Sequence, residues 1–311
     1  MQGGAPVFPR SCMTTYCEER KPSPTKQPDA FRQPQENAWE IGSLRPRLEK
    51  KGNLSPCRAT LRRRPWLIAA FLLLFSPSLF FVLAENGHAA PPTVLIRWYG
   101  HAFIYLIASS GIRIAIDPFG DETVHYRFPA SLQADVVLIS NEANDRSAGE
   151  RIQGTPQLFR SVAALGTNNA RGLLFRGILT FRDKSQGAIH GHNTAFVFDL
   201  DGMRFAHLGD LGHPLSPELL AEFGKVDVLF LPVGRDTLLA SELDKIAADL
   251  AARVIVPIAY RTDLSGDLEL RTLASYLDNR TNIRWIDGSE FSLSAPELPP
   301  SPMIYAFRGT P

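Results

Sequence analysis

Cysteine is nearly absent from this 311-residue chain. The three that occur, Cys12, Cys17 and Cys57, all precede residue 66, and none lies in residues 85–311. A disulfide-stapled scaffold, a cysteine-ligated zinc centre and an iron–sulfur centre are therefore excluded for that long C-terminal portion. Excess positive charge is lacking there as well, with 20 Lys and Arg against 26 Asp and Glu. An acidic body argues against binding nucleic acid through a basic surface, so no nucleic-acid partner is expected. Recognisable catalytic signatures are also missing. No Gly-x-Ser-x-Gly elbow, phosphate loop or dinucleotide fingerprint sits in the required strand–helix setting.

What is present divides into three segments. The net charge of +1 hides opposed parts. Residues 1–65 hold 13 Lys and Arg against 6 Asp and Glu, together with 9 of the 24 prolines, and read as a disordered, basic, proline-rich leader. A start site assigned too far upstream would also account for such a segment. Residues 66–84 form an uncharged run of 19 residues after Arg62-Arg63-Arg64. The run is long enough for a bilayer core of about 30 Å, but Ser76-Pro77-Ser78 interrupts it and Val82-Leu83-Ala84 resembles a signal-peptidase site. It reads as the core of a secretory signal peptide. The expectation is an exported protein, periplasmic or extracellular. The alternative is a single-pass membrane anchor, the only case in which membrane contact is expected. Residues 85–311 have the length for one sizeable core and read as one domain.

Within that domain short strands alternate with helices. TVLIRWY, AFIYLIA and RIAID read as strands, and ADVVLIS is a continuous apolar run suited to a strand covered on both faces. LFRSVAAL reads as a helix. GLLFRGILTF, NTAFVFDL and MRFAHLG read as strands joined at Asp201-Gly202, and SPELLAEFG as a helix capped by Ser216 and stopped by Gly224. VDVLFLPVG, VIVPIAY, IRWID and MIYAFR complete the strands, with helices over SELDKIAADLAA and LELRTLASYL. A meander followed by βα alternation indicates a layered α/β body.

The segments YGHAFIYLIASSGIRIAIDPFGDE, DVVLIS, HNTAFVFDLDGMRFAHLGDLGHPLSPELL, VDVLFLPVG and VIVPIAYRT follow one another in order. Together they resemble the metallo-β-lactamase superfamily, in particular its ascorbate-phosphate-lactonase-like branch, over nearly all of residues 94–290. The resemblance implies a four-layer αββα sandwich with a metal site at one edge of the paired sheets. It also implies hydrolysis by two zinc or manganese ions, whose charge lowers the pKa of a bridging water.

The residues at the implied ligand positions depart from that pattern. Where the family places His-x-His-x-Asp-His, this chain reads Asn141-Glu142-Ala143-Asn144-Asp145-Arg146. The next histidine position corresponds to Arg182 and the last to Ala259, while the bridging carboxylate remains as Asp210. Asp145 and Asp210 are thus retained, and all five histidine positions are replaced. Two carboxylates cannot hold two zinc ions, an alanine cannot ligate, and an arginine is a fixed repelling charge. Arg146, Arg182 or both are expected to neutralise Asp145 and Asp210. The alternative for Arg146 is a solvent-facing side chain. Ser140 reads as a satisfied strand-end hydroxyl and His101 as a structural histidine.

The resulting expectation is a non-catalytic or binding member of a hydrolase family with no cofactor, acting on an unidentified small molecule or protein. The alternative is a metal-dependent hydrolase of a phosphoester or lactone. It would use zinc or manganese in a reduced or rebuilt site drawn from Asp145, Asp210, His190 and His192.

Overall fold

A computed structural model describes residues 90–120 and 122–311. The leader expected over residues 1–65 and the signal core or anchor expected over 66–84 lie outside the described residues. In chain order the domain comprises β1 (Thr93–Gly100), β2 (Phe103–Ile107), β3 (Arg113–Ile116), β4 (Val136–Ile139), β5 (Gln157–Arg160), β6 (Gly166–Ala170), β7 (Leu173–Phe181), β8 (His192–Leu200) and β9 (Met203–His207). Then follow α1 (Pro217–Phe223), β10 (Val228–Pro232), α2 (Ala240–Asp249), β11 (Val254–Ile258), α3 (Leu273–Leu277), β12 (Ile283–Ile286), β13 (Glu290–Ser294) and β14 (Met303–Phe307).

The strands form two mixed sheets. One has six strands in the order β13-β1-β2-β3-β4-β5, and the other has eight in the order β12-β14-β11-β10-β9-β8-β7-β6. In the first, β3, β4 and β5 run parallel; in the second, β9, β10, β11 and β14 run parallel. Burial follows from position. β4, β10 and β11 lie inside their sheets and are buried at every residue, as their unbroken apolar runs require. β1 alternates instead, sending Val94, Ile96 and Trp98 inward.

One apolar cluster runs from Trp98, Ile104 and Leu138 of the first sheet, through Phe196, Phe205 and Phe230 of the second, to Leu243 and Ile246 of α2. The opposite face of the first sheet, including Phe103, Tyr105 and Val137, packs on Phe119, Val124, Tyr126 and Leu132. This is the expected four-layer α/β architecture. The layer over the first sheet is built from the irregular segments 118–120 and 122–134, which contain no α-helix.

Two expected helices differ. Residues 158–165 do not form one helix; Leu158–Arg160 belong to β5, and a 3-10 turn covers Ser161–Ala164. The free edge of β4 supplies backbone partners to this segment, and Ser161 at φ 44° breaks any helical path. Residues 268–277 form a helix only from Leu273, where Thr272 caps it by accepting from the Ser275 N–H. The preceding backbone is held by Arg271, whose N–H donates to the Gly234 carbonyl and whose carbonyl accepts from Arg261. In both cases long-range pairing overrides local periodicity.

The parallel strands of both sheets end on the same side as the turn between β1 and β2. That turn needs Gly100, which sits at φ 111° against the Tyr126 ring; a Cβ there would come within 2.3 Å of a ring carbon. Gly100→Ala is expected to lower unfolding stability by about 2–4 kcal/mol, through combined backbone strain and overpacking. The shift in the denaturant midpoint measures it.

Candidate functional site

Three carboxylates emerge from strand ends of both sheets. Asp117 follows β3 in the left-handed region at φ 53° and is fully buried. It accepts from the Ser140 N–H at 2.7 Å and from the Ser140 hydroxyl at 2.7 Å. Ser140 is therefore a committed donor and not a free nucleophile. Asp145 lies in the loop after β4, and Asp210 in the loop after β9.

Asp210 is positioned by its neighbours. Its N–H donates to Asn193 Oδ1 at 2.8 Å, while Asn193 Nδ2 donates to Thr180 Oγ1 and to the Leu208 carbonyl. Gly209 at φ 62° permits this approach, because a Cβ there would lie 2.4 Å from Asn193 Oδ1.

Arg146 sits among the three carboxylates, completely buried. Its Nη2 donates to Asp145 Oδ2 at 2.9 Å and lies 3.5 Å from Asp210 Oδ1; its Nη1 is 3.9 Å from Asp117 Oδ2. His101 joins from the β1–β2 turn, with Nε2 2.7 Å from Asp145 Oδ2. Two further arginines hold Asp210 from the outer side. Arg182 Nε donates to Oδ2 at 2.8 Å and Arg235 Nε to Oδ1 at 2.9 Å.

The electrostatics follow from this placement. Burial alone raises Asp145, but the Arg146 charge and the His101 contact outweigh it and hold the carboxyl well below the usual range. Asp210 likewise pays for burial, and Arg146, Arg235 and Arg182 together drive it well below that range. Asp117 has weaker compensation, so burial prevails over Arg146 and Ser140 and raises it to about 7. Burial pushes His207 down to about 3. Its Nδ1 accepts from the Gly209 N–H, and its Nε2 donates to the Ala102 carbonyl.

Residues 95–259 match the family described as Beta-lactamase superfamily domain. The chain belongs to that family. It is similar to a protein of Thermococcus onnurineus named UPF0173 metal-dependent hydrolase, at 27% identity over 195 residues, covering 54% of this chain and 85% of that protein. A protein of the same name from Geobacillus thermodenitrificans is 28% identical over 200 residues, with the same shares covered. A solved structure from Thermotoga maritima, carrying the name of a Zn-dependent hydrolase of the metallo-β-lactamase superfamily, aligns with a TM-score of 0.56 and 29% identity. That alignment spans 69% of this chain and 98% of that one.

The superfamily's metal chemistry can be tested against the donors of this domain. Zinc requires three or four N, O or S donors converging at about 2.0–2.3 Å. Asn141 is engaged locally: Oδ1 accepts from the Ala143 N–H, and Nδ2 reaches Ser140 Oγ and Asn193 Oδ1. Ala143 and Ala259 offer no donor atom, and Arg146 and Arg182 present cations to the retained carboxylates. His190 and His192 are exposed, with the His192 ring against Phe181, whereas Asp145 and Asp210 are buried. Among the described residues no three His, Cys, Asp or Glu side chains converge where they could hold a metal ion. The residues present do not fit a zinc or manganese centre, and the rebuilt set of Asp145, Asp210, His190 and His192 is not brought together.

Sequence reasoning missed Asp117 and Arg235 and treated His101 as structural only. The signal for the first two was positional: Asp117 directly follows β3, at IAID, and Arg235 lies three residues beyond the end of β10, at PVGR, both strands belonging to parallel pairs.

Removing the Arg146 cation leaves buried carboxylates uncompensated. Arg146→Met is expected to cost about 3–5 kcal/mol of stability near neutral pH, read from denaturant unfolding. Asp117 yields a pH prediction. Unfolded, it ionises near pH ~4; folded, it keeps its proton up to about 7. Between those values the folded state binds more protons, so this group's contribution falls as pH rises, by up to about 4 kcal/mol. His207 acts oppositely: its contribution rises with pH between about 3 and its unfolded value near ~6.5. Comparing Asp117→Asn with wild type cancels the histidine. The stability difference should move in the variant's favour from about pH 4 to about pH 7 and stay constant above that.

Proposed function

We propose that this domain is an exported, non-catalytic or binding member of the superfamily, in which the Arg146 guanidinium stands where the relatives' metal charge would stand. The observation that carries the reading is the fully buried Arg146, bonded to Asp145 and beside Asp210. A guanidinium is a permanent part of the chain. It has no exchangeable coordination position, and it cannot polarise a bound water as an open metal site does. Its bidding for the same carboxylates is the reason a metal finds no vacancy among these donors. The export part of the reading is supported by Arg62–Arg64 preceding the apolar run 66–84. The ligand is then a small molecule or a protein.

A second reading has its own support. The relatives are named metal-dependent hydrolases, and these names favour a metal-dependent hydrolase; under this reading the substrate is a phosphoester or lactone and the metal zinc or manganese. Retention of Asp145 and Asp210 points the same way.

Metal content and turnover separate the two. The purified full chain, after dialysis against zinc and manganese, is expected to retain far less than one metal ion per chain by elemental analysis. It should hydrolyse bis(p-nitrophenyl) phosphate no faster than buffer. Stoichiometric metal together with turnover abolished by Asp210→Ala would overturn the first reading in favour of the second.

A further inference from the structure

We infer that the mouth of this site binds an oxyanion, a phosphate or carboxylate group of a small molecule, between the outward guanidinium forks of Arg182 and Arg235. The inference deepens the binding reading above and rests on Arg146, not a metal, filling the interior.

Arg182 and Arg235 each use Nε to bond one oxygen of the same buried carboxylate, Asp210, at 2.8 and 2.9 Å. The two cations are thus fixed side by side by a single anchor, and their terminal nitrogens are left over. Arg182 Nη1 donates to the His190 carbonyl at 3.0 Å. Arg182 Nη2 and both Nη atoms of Arg235 have no hydrogen-bond partner among the described residues. The side chains are 18% and 25% exposed, so these nitrogens are recessed yet reachable.

Three guanidinium groups converge on the Asp145 and Asp210 carboxylates, and Arg182 and Arg235 each commit only Nε to Asp210. The nearby Asp183 carboxylate is occupied by the backbone N–H groups of Ser185, Gly187, Ile189 and His190, and Asp236 forms no ion pair among the described residues. Forked N–H groups on pre-positioned cations match the geometry of phosphate and carboxylate. Because Asp210 already holds both side chains, little rotamer entropy remains to be lost on binding.

The test is calorimetric titration of the full chain with inorganic phosphate and, separately, with acetate, in a buffer free of other oxyanions and containing EDTA. Saturable binding of either probe is expected, weakened about ten-fold or more by Arg235→Gln and less by Arg235→Lys, with the thermal midpoint of each variant checking that the domain is folded. Phosphate binding without acetate binding assigns a phosphoryl group; acetate binding alone assigns a carboxylate; either supports the inference. Binding equal in wild type and the Arg182→Gln/Arg235→Gln variant overturns it, as does absence of binding to wild type. Binding seen only when EDTA is omitted overturns it together with the metal-free reading. The metal analysis described above fails independently of the other outcomes.

Discussion

Arg146 is the interaction on which the rest of the site depends. Asp117, Asp145 and Asp210 leave different strands of two sheets and meet in a space closed to solvent. Three carboxylates without a cation there would either take up protons or force the sheets apart, since desolvated like charges have no water to screen them. The guanidinium reaches Asp145 and Asp210 through Nη2 and faces Asp117 through Nη1. It couples the first sheet to the second by charge, where the apolar cluster beneath couples them by burial. The interior contribution is uneven. Asp145 and Asp210 are held ionised, and Asp117, at the longer distance, is left near the edge of titration.

The surrounding polar scaffold explains how such a charge is tolerated. Buried ionic groups are costly unless their remaining hydrogen-bonding capacity is met. Ser140 supplies two donors to Asp117, Asn193 accepts from the Asp210 backbone, and His101 donates to Asp145. Arg146 Nε and Nη1 have no direct hydrogen bond, so the guanidinium is satisfied mainly on the side that faces Asp145 and Asp210. Arg182 and Arg235 complete the neutralisation of Asp210 from outside. Arg146, Arg182 and Arg235 together place three guanidinium groups around Asp145 and Asp210.

Much of the fold was legible from periodicity. The apolar run at 136–139 announced a buried central strand, the runs over 228–232 and 254–258 announced strands, and Ser216 and Gly224 announced the ends of α1, which the Ser216 cap and the Gly224 stop now delimit. Residues 158–165 and 268–271 were misread because their local pattern suits a helix, while their backbone groups find partners in β4 and in the turn at Gly234. In the site, the motif order singled out Asn141, Ala143, Arg146, Arg182 and Ala259 as the expected ligand positions. Asp117 and Arg235 were not singled out, although Asp117 lies within the segment GIRIAIDPFGDE and Arg235 directly follows VDVLFLPVG. Each matters only through its strand's place in a sheet.

By itself the sequence determined the class of the body, its acidic and cysteine-free composition, and the chemical identity of the groups at the strand ends. Those properties are local, written in residue type and spacing. Only the tertiary structure decided that Arg146 points inward and not to solvent, and that Arg182 and Arg235 share one carboxylate while His190 and His192 stay outside. A side chain's direction and its partners depend on which strands lie side by side. Residues more than a hundred positions apart, such as His101 and His207 or Asp117 and Arg235, become neighbours of one charge cluster only when two sheets close on a common core.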